Sequence, residues 1–181
     1  MTIVVYCSSQ AGLEEKYQRL AHDLGTWIGQ NGHTLLYGGS NAGLMHVTAA
    51  AVHEAGGHVV GVIPNLFSDD IIYSQAVTEL VRVRSMAERK ERIMEACNAF
   101  VALPGGIGTL DEVLEVMVAN QLKQIDKPMY LLNLDGFYNL FLEQLRQMHQ
   151  MGFVRATGEA SLHAVSDVNE LFSMFNTNDN K

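Results

Sequence analysis

The sequence has 181 residues, 48% of them apolar, and a formal charge of −8. That length suits one domain over residues 1–181 with a substantial core, and the acidic balance excludes a broad surface for a nucleic acid polymer or an anionic membrane, leaving room only for a local cationic pocket. No run approaches the roughly 18 apolar residues that span a bilayer, and Thr2-Ile-Val-Val-Tyr6 has neither the basic nor the apolar region of a secretion signal, so the expected location is cytoplasmic.

In chain order, Ile3 to Cys7 reads as a strand, Ser8 to Gly12 as a turn and Leu13 to Gln30 as a helix, a first βα unit ended by Asn31-Gly32. His33 to Tyr37 is a second strand, Gly38-Gly39-Ser40-Asn41-Ala42-Gly43 a glycine-rich turn, and Leu44 to Ala55 an alanine-rich helix packed deep against a sheet. After Gly56-Gly57 comes a third strand, His58 to Ile63. Residues Pro64 to Ser74, with Asp69 and Asp70, read either as a loop over a site or as a solvated connection. Val77 to Val83 is a short strand, Ser85 to Cys97 a helix and Asn98 to Leu103 a strand. Leu110 to Leu122 is a helix, Pro128 to Leu132 a strand, and Asp135-Gly136 turns into a helix carrying Phe137, Leu140, Phe141, Leu145 and Met148. Leu162 to Val165 and a helix from Asp167 to Met174 complete the pass, with Asn176 to Lys181 frayed. This alternation predicts an α/β fold: a mostly parallel sheet with helices on both faces, which binds ligands at the C-terminal ends of its strands.

All the glycine- and serine-rich turns fall on that edge. In Leu103-Pro-Gly-Gly-Ile-Gly-Thr109, Gly105, Gly106 and Gly108 remove side chains so that backbone N–H groups can approach an anion, Thr109 adds a hydroxyl, and the following helix adds its positive N-terminal end. A tight connection needing positive φ would also explain three glycines. Glu112 lies one turn into that helix, aligned with Val116 and Ala119, and its carboxylate is expected to point into a cleft or interface. A first-turn acid is equally favoured by the helix dipole. Leu110, Val113, Leu114, Val116, Met117 and Val118 occupy most of this helix's circumference, which predicts burial nearly all round.

The preceding helix has charges on the wrong face. Ile93, Met94 and Cys97 share an apolar side, and Glu88, Glu91, Arg92 and Glu95 cluster opposite, yet Arg89 and Lys90 flank the apolar side. Snorkelling explains one such cation; two together favour an anion ligand. Glu79, on the strand before, either orients these cations or faces solvent. Cys7 and Cys97 lack CxxC or zinc spacing and read as reduced, buried thiols. His46 and His53, two turns apart on one helix, do not have the spacing of a metal pair.

Taken together, Gly38-Gly39 with Gly43-Leu44-Met45, Ser85-Met86-Ala87-Glu88-Arg89-Lys90 and Pro104-Gly-Gly-Ile-Gly-Thr-Leu-Asp-Glu112 resemble the LOG ("lonely guy") family, whose members were often labelled lysine decarboxylases. The resemblance covers nearly the whole chain. It implies a Rossmann-like, doubly wound homodimer that hydrolyses the N-glycosidic bond of a nucleoside 5′-monophosphate, a cytokinin riboside monophosphate or AMP, to free base and ribose 5-phosphate. By match, Arg89 and Glu112 are catalytic. Gly38, Gly39, Met86, Pro104, Gly105, Gly106, Ile107, Gly108 and Thr109 take substrate-binding positions, with Lys90 and Glu79 assisting. No metal, nicotinamide or pyridoxal cofactor is implied. The chain departs from the family pattern at Ser8, Ala11 and Ser40, where glycines are usual, at His46, which replaces a glycine, and at Ala87, which replaces a frequent histidine; these departures predict added bulk at the pocket rim. Two alternatives remain at this stage, a general purine or pyrimidine nucleotide nucleosidase and a non-catalytic carrier of nucleotide or molybdenum cofactor, because a phosphate loop binds without cleaving.

Overall fold

The computed structural model describes residues 1–67, 76–154 and 161–178, the last three as backbone only. Its strands are β1 (Thr2–Tyr6), β2 (Thr34–Tyr37), β3 (His58–Pro64), β4 (Glu79–Val83), β5 (Ala99–Ala102), β6 (Met129–Leu132) and β7 (Leu162–Val165). Its helices are α1 (Glu15–Gln30), α2 (Gly43–Glu54), α3 (Met86–Ala96), α4 (Ile107–Gln121), α5 (Asn139–Gln150) and α6 (Val168–Asn178). The strands form one seven-stranded sheet, entirely parallel, in the order β4-β3-β2-β1-β5-β6-β7. The expected mostly parallel, Rossmann-like sheet is therefore present. Residue Ile3 of β1 pairs with Leu35 of β2 on one side and with Ala99 of β5 on the other. The strand order reverses there, and such a reversal opens a crevice beyond the strand ends.

Strand alternation divides the core into two layers. Ile3, Val5 and Cys7 face α1, α2 and α6, whereas Val4 and Tyr6 face α3, α4 and α5. The inner strands β1, β2, β5 and β6, covered on both faces, read as continuous apolar runs, whereas edge strand β4 is largely exposed and carries Glu79 and Arg82. In the first layer α1 and α2 are in close backbone contact. A Cβ on Gly25 would come within 2.8 Å of the Ala51 Cβ, and one on Gly29 within 2.7 Å of the Ala55 Cβ, so missing side chains set this approach.

In the second layer, α3 and α4 make no such close backbone contact. The start of α3 is fixed by the Ser85 hydroxyl, which accepts the Glu88 N–H at 3.1 Å, while the Glu88 carboxylate accepts the Arg84 N–H at 2.9 Å, a variant of the capping box. Its end is capped by Lys127, whose ammonium donates to the carbonyls of Met94 at 2.7 Å and Glu95 at 3.0 Å.

Several boundaries differ from expectation. Helix α4 begins at Ile107, so Gly108 and Thr109 belong to its first turn. It is not buried all round: Ile107, Leu114, Val118 and Leu122 are exposed, because composition reports an apolar surface without saying what covers it. Between β6 and α5 the chain makes a 3-10 turn, Leu134–Gly136, with Asp135 at φ 52°. Helix α6 runs to Asn178, beyond the expected Met174. Of the loop 64–74, residues 68–74, including Asp69 and Asp70, lie outside the described residues, as do 179–181 of the tail.

Candidate active site

A cavity of about 530 Å³ opens at the C-terminal ends of β1, β2, β3 and β5, at the strand-order reversal. Its wall on the β5 side is the start of α4. The first hydrogen bond of that turn is Leu110 N–H to the Gly106 carbonyl at 3.1 Å, so the N–H groups of Ile107, Gly108 and Thr109 precede the helical ladder and remain donors at its positive end. Gly106, Ile107, Gly108 and Thr109 line the cavity. Pro104 and Gly105 lie behind it, where any side chain on Gly105 would collide with Thr109.

Arg89 and Glu112 meet on the floor. Both are buried, at 6% and 7% exposure. The Arg89 Nη1 donates to the Glu112 Oε1 at 2.9 Å, and its Nε donates to the Val62 carbonyl at 3.2 Å. The third guanidinium nitrogen lies against Gly38, where a Cβ would overlap it. Gly38 thus seats Arg89, while Gly39, at φ 76°, packs on Ile63 outside the lining. Burial raises the Glu112 carboxyl above its ordinary range, against the opposing attraction of Arg89 and Lys90. Beneath the pair, burial and the Glu112 charge also push the Tyr6 phenol and Cys7 thiol up, so Cys7 stays a protonated thiol; both cysteines are free and buried.

Lys90 reaches the cavity, but its ammonium is held by Asp111 at 2.8 Å and Glu115 at 3.3 Å. Glu79 does not line this cavity. It starts β4, and the strand's rise puts it roughly 13 Å from the edge where the cavity opens, beside His58 at 3.7 Å and largely exposed. Periodicity assigned its strand correctly but cannot say which strand end meets a ligand.

The wall on the β3 side is apolar, formed by Ile63, Pro64 and Phe67 with Met45 and the expected Met86. The departures from the family pattern divide. Ser8 and Ser40 line the cavity, and the Ser8 hydroxyl accepts the Gln10 N–H at 3.1 Å to hold its turn. His46 and Ala87 are exposed away from it, and Ala11 borders a smaller cavity of about 190 Å³. Phe67, Asp111 and the Val62 carbonyl were not singled out by sequence reasoning; Asp111 carried a signal, lying beside Glu112 in the second turn of α4.

The family model described as "Possible lysine decarboxylase" matches residues 45–175. A protein of Arabidopsis thaliana named cytokinin riboside 5′-monophosphate phosphoribohydrolase is 42% identical over 153 residues, 84% of this chain and 67% of that protein. A second one from the same plant is 38% identical over 169 residues, 93% of this chain and 79% of that protein. Among solved structures, the molybdenum cofactor carrier protein of Chlamydomonas reinhardtii is 26% identical with a TM-score of 0.76, covering 99% of this chain and 98% of that one. With a family match over more than half its length and relatives of this similarity, the chain belongs to the LOG family.

Proposed function

We propose that the chain hydrolyses the N-glycosidic bond of nucleoside 5′-monophosphates, with cytokinin riboside 5′-monophosphate or AMP as substrate. The observation that carries this reading is the buried Arg89–Glu112 pair on a cavity floor, next to a helix N-terminus that presents unpaired N–H groups. The 5′-phosphate sits at the start of α4 on Gly106, Gly108 and Thr109. The base lies on the apolar wall near Phe67 and Met86, three strand spacings or roughly 14 Å away. Between them the glycosidic bond comes over Glu112.

Cleavage leaves positive charge on the ribose ring, which a carboxylate beneath it stabilises. Glu112 also orients and deprotonates the attacking water. The water oxygen ends on C1′ and its protons end on the sugar hydroxyl and the released base. Arg89 keeps its proton throughout; its part is to hold the Glu112 carboxylate and shape the floor.

The exposed apolar stripe of α4, with Leu114 at 43%, Val118 at 53% and Leu122 at 61% exposure, supports a homodimer through this face. Light scattering on Val118→Asp is expected to give a monomer if that face is the interface.

The test of function is incubation with AMP and with isopentenyladenosine monophosphate, followed by chromatography for free base. Release of adenine or isopentenyladenine is expected. A second reading, a molybdenum cofactor carrier, is favoured by the near full-length likeness to the Chlamydomonas protein, and gains if nucleotide binds and no base appears.

A further inference from the structure

The cationic pair Arg89-Lys90 is engaged on both members, with opposite charge accounting. Arg89 balances one carboxylate. Lys90 meets two, Asp111 at 2.8 Å and Glu115 at 3.3 Å, so one cation against two anions leaves this corner of the cavity mouth with a net charge of −1. A phosphate dianion approaching Lys90 would face both carboxylates or have to displace them. The first turn of α4 carries no acid, and its free N–H groups line the same cavity.

The cluster also bridges elements. Lys90 and Arg89 are adjacent on α3, and Asp111, Glu112 and Glu115 lie in the second and third turns of α4. These helices have far less backbone contact than α1 and α2, and at their far ends they are linked through Lys127, which caps α3 while its own backbone is pinned by the Asn120 side chain of α4 at 3.0 Å. At the mouth end, the side-chain bridges are Arg89 to Glu112 and Lys90 to Asp111 and Glu115.

We propose that Lys90 is a positioning residue: clamped between Asp111 and Glu115, it sets the register of α3 against α4 and thereby the geometry of the Arg89–Glu112 pair, and it does not bind the substrate phosphate. The inference rests on the proposed hydrolase reading for its kinetic test. Glu112 faces Arg89 and Lys90 from α3, Asp111 on its own helix, Tyr6 at the end of β1 and Cys7 just after it; Lys90 lowers its carboxyl and Asp111 raises it.

The experiment compares the full chain with Lys90→Met, Lys90→Arg, Asp111→Asn and the Lys90→Met/Asp111→Asn double variant. AMP kinetics are followed across pH, and ribose 5-phosphate binding is measured by calorimetry. Lys90→Met is expected to lose about tenfold in kcat, as coupled neighbours do, with KM and the ribose 5-phosphate Kd within about twofold of the parent. Lys90→Arg restores kcat. The acid limb of kcat/KM moves up in Lys90→Met and down in Asp111→Asn, opposite signs that a general loss of stability does not produce. A rise of about tenfold in the ribose 5-phosphate Kd of Lys90→Met with kcat retained makes Lys90 a phosphate ligand and overturns the proposal. If the parent chain releases no base from either nucleotide, the hydrolase reading fails by itself. The positioning role is then decided by urea unfolding of the same variants: non-additive losses for Lys90 and Asp111 support the tie, and additive losses overturn it.

Discussion

The two faces of the sheet are built by opposite means. On the α1/α2 side, Gly25 and Gly29 let helix backbones touch Ala51 and Ala55, and no charge is needed to register them. On the α3/α4 side the helix backbones touch far less, and charged side chains join an apolar layer in linking them: Arg89 to Glu112, and Lys90 to Asp111 and Glu115, beside Ile93, Val113 and Val116. The first arrangement is a scaffold with little freedom to change. The second places polar groups where a ligand can enter, at the rim of a buried apolar layer.

The largest effect that would sharpen this contrast comes from Glu112→Gln, which keeps a hydrogen-bond partner for Arg89 but removes the charge. Its kcat for AMP is expected to fall about a hundred- to ten-thousandfold with the circular dichroism spectrum intact; parental turnover would remove Glu112 from the mechanism. Next is Gly38→Ala, whose new methyl group displaces the Arg89 guanidinium. Turnover is expected to drop about tenfold to a hundredfold, because small misplacements of a reactive group are costly, with the melting temperature nearly unchanged. Gly29→Val breaks the contrast from the other side. Overpacking against Ala55 and the Val52 carbonyl is expected to cost about 1–3 kcal/mol in urea unfolding, while kcat per folded molecule stays at the parental value. An equal kcat loss in Gly29→Val and Gly38→Ala would erase the distinction between scaffold and site.

The smallest effect is in pH dependence. Burial raises the Glu112 carboxyl, so the ionised, reactive form is reached only above the ordinary glutamate range, and the acid limb of kcat/KM is expected there rather than near pH 4.5. The same shift works on stability. The proton is bound more tightly in the folded chain, so the contribution of Glu112 is fully present below its unfolded value and is lost as pH rises through its folded one.

Most of the fold was legible because the covered inner strands of a parallel sheet write themselves as apolar runs separated by amphipathic helices, and Ile3 to Cys7 or Asn98 to Leu103 need no further information. Arg89 was legible for the same reason, as a cation at the edge of an apolar stripe, but the partner expected for it was an anion ligand, and the structure puts Glu112 there. Other features depend on which elements become neighbours. Asp111 and Glu115 occupy Lys90 only because α3 and α4 share one face of the sheet, and Glu79 misses the cavity because β4 runs parallel to β3 and begins far from the edge. On the outward stripe, Leu114 and Val118 were read as core because residue type records how apolar a surface is and not whether the same chain covers it.

The pairing of Ile3 with Ala99 has a temporal consequence. During synthesis, β1 is available almost at once, and β2 can join it early, but its other edge waits for β5, which at ribosomal rates of roughly 5–20 residues per second arrives several seconds later. Until then the central strand has an open, apolar edge able to recruit other nascent chains. The cavity floor exists only after that edge closes and α4 follows β5, so the reactive centre is assembled late, and a chain truncated before Leu103 would carry Arg89 without Glu112 or the start of α4.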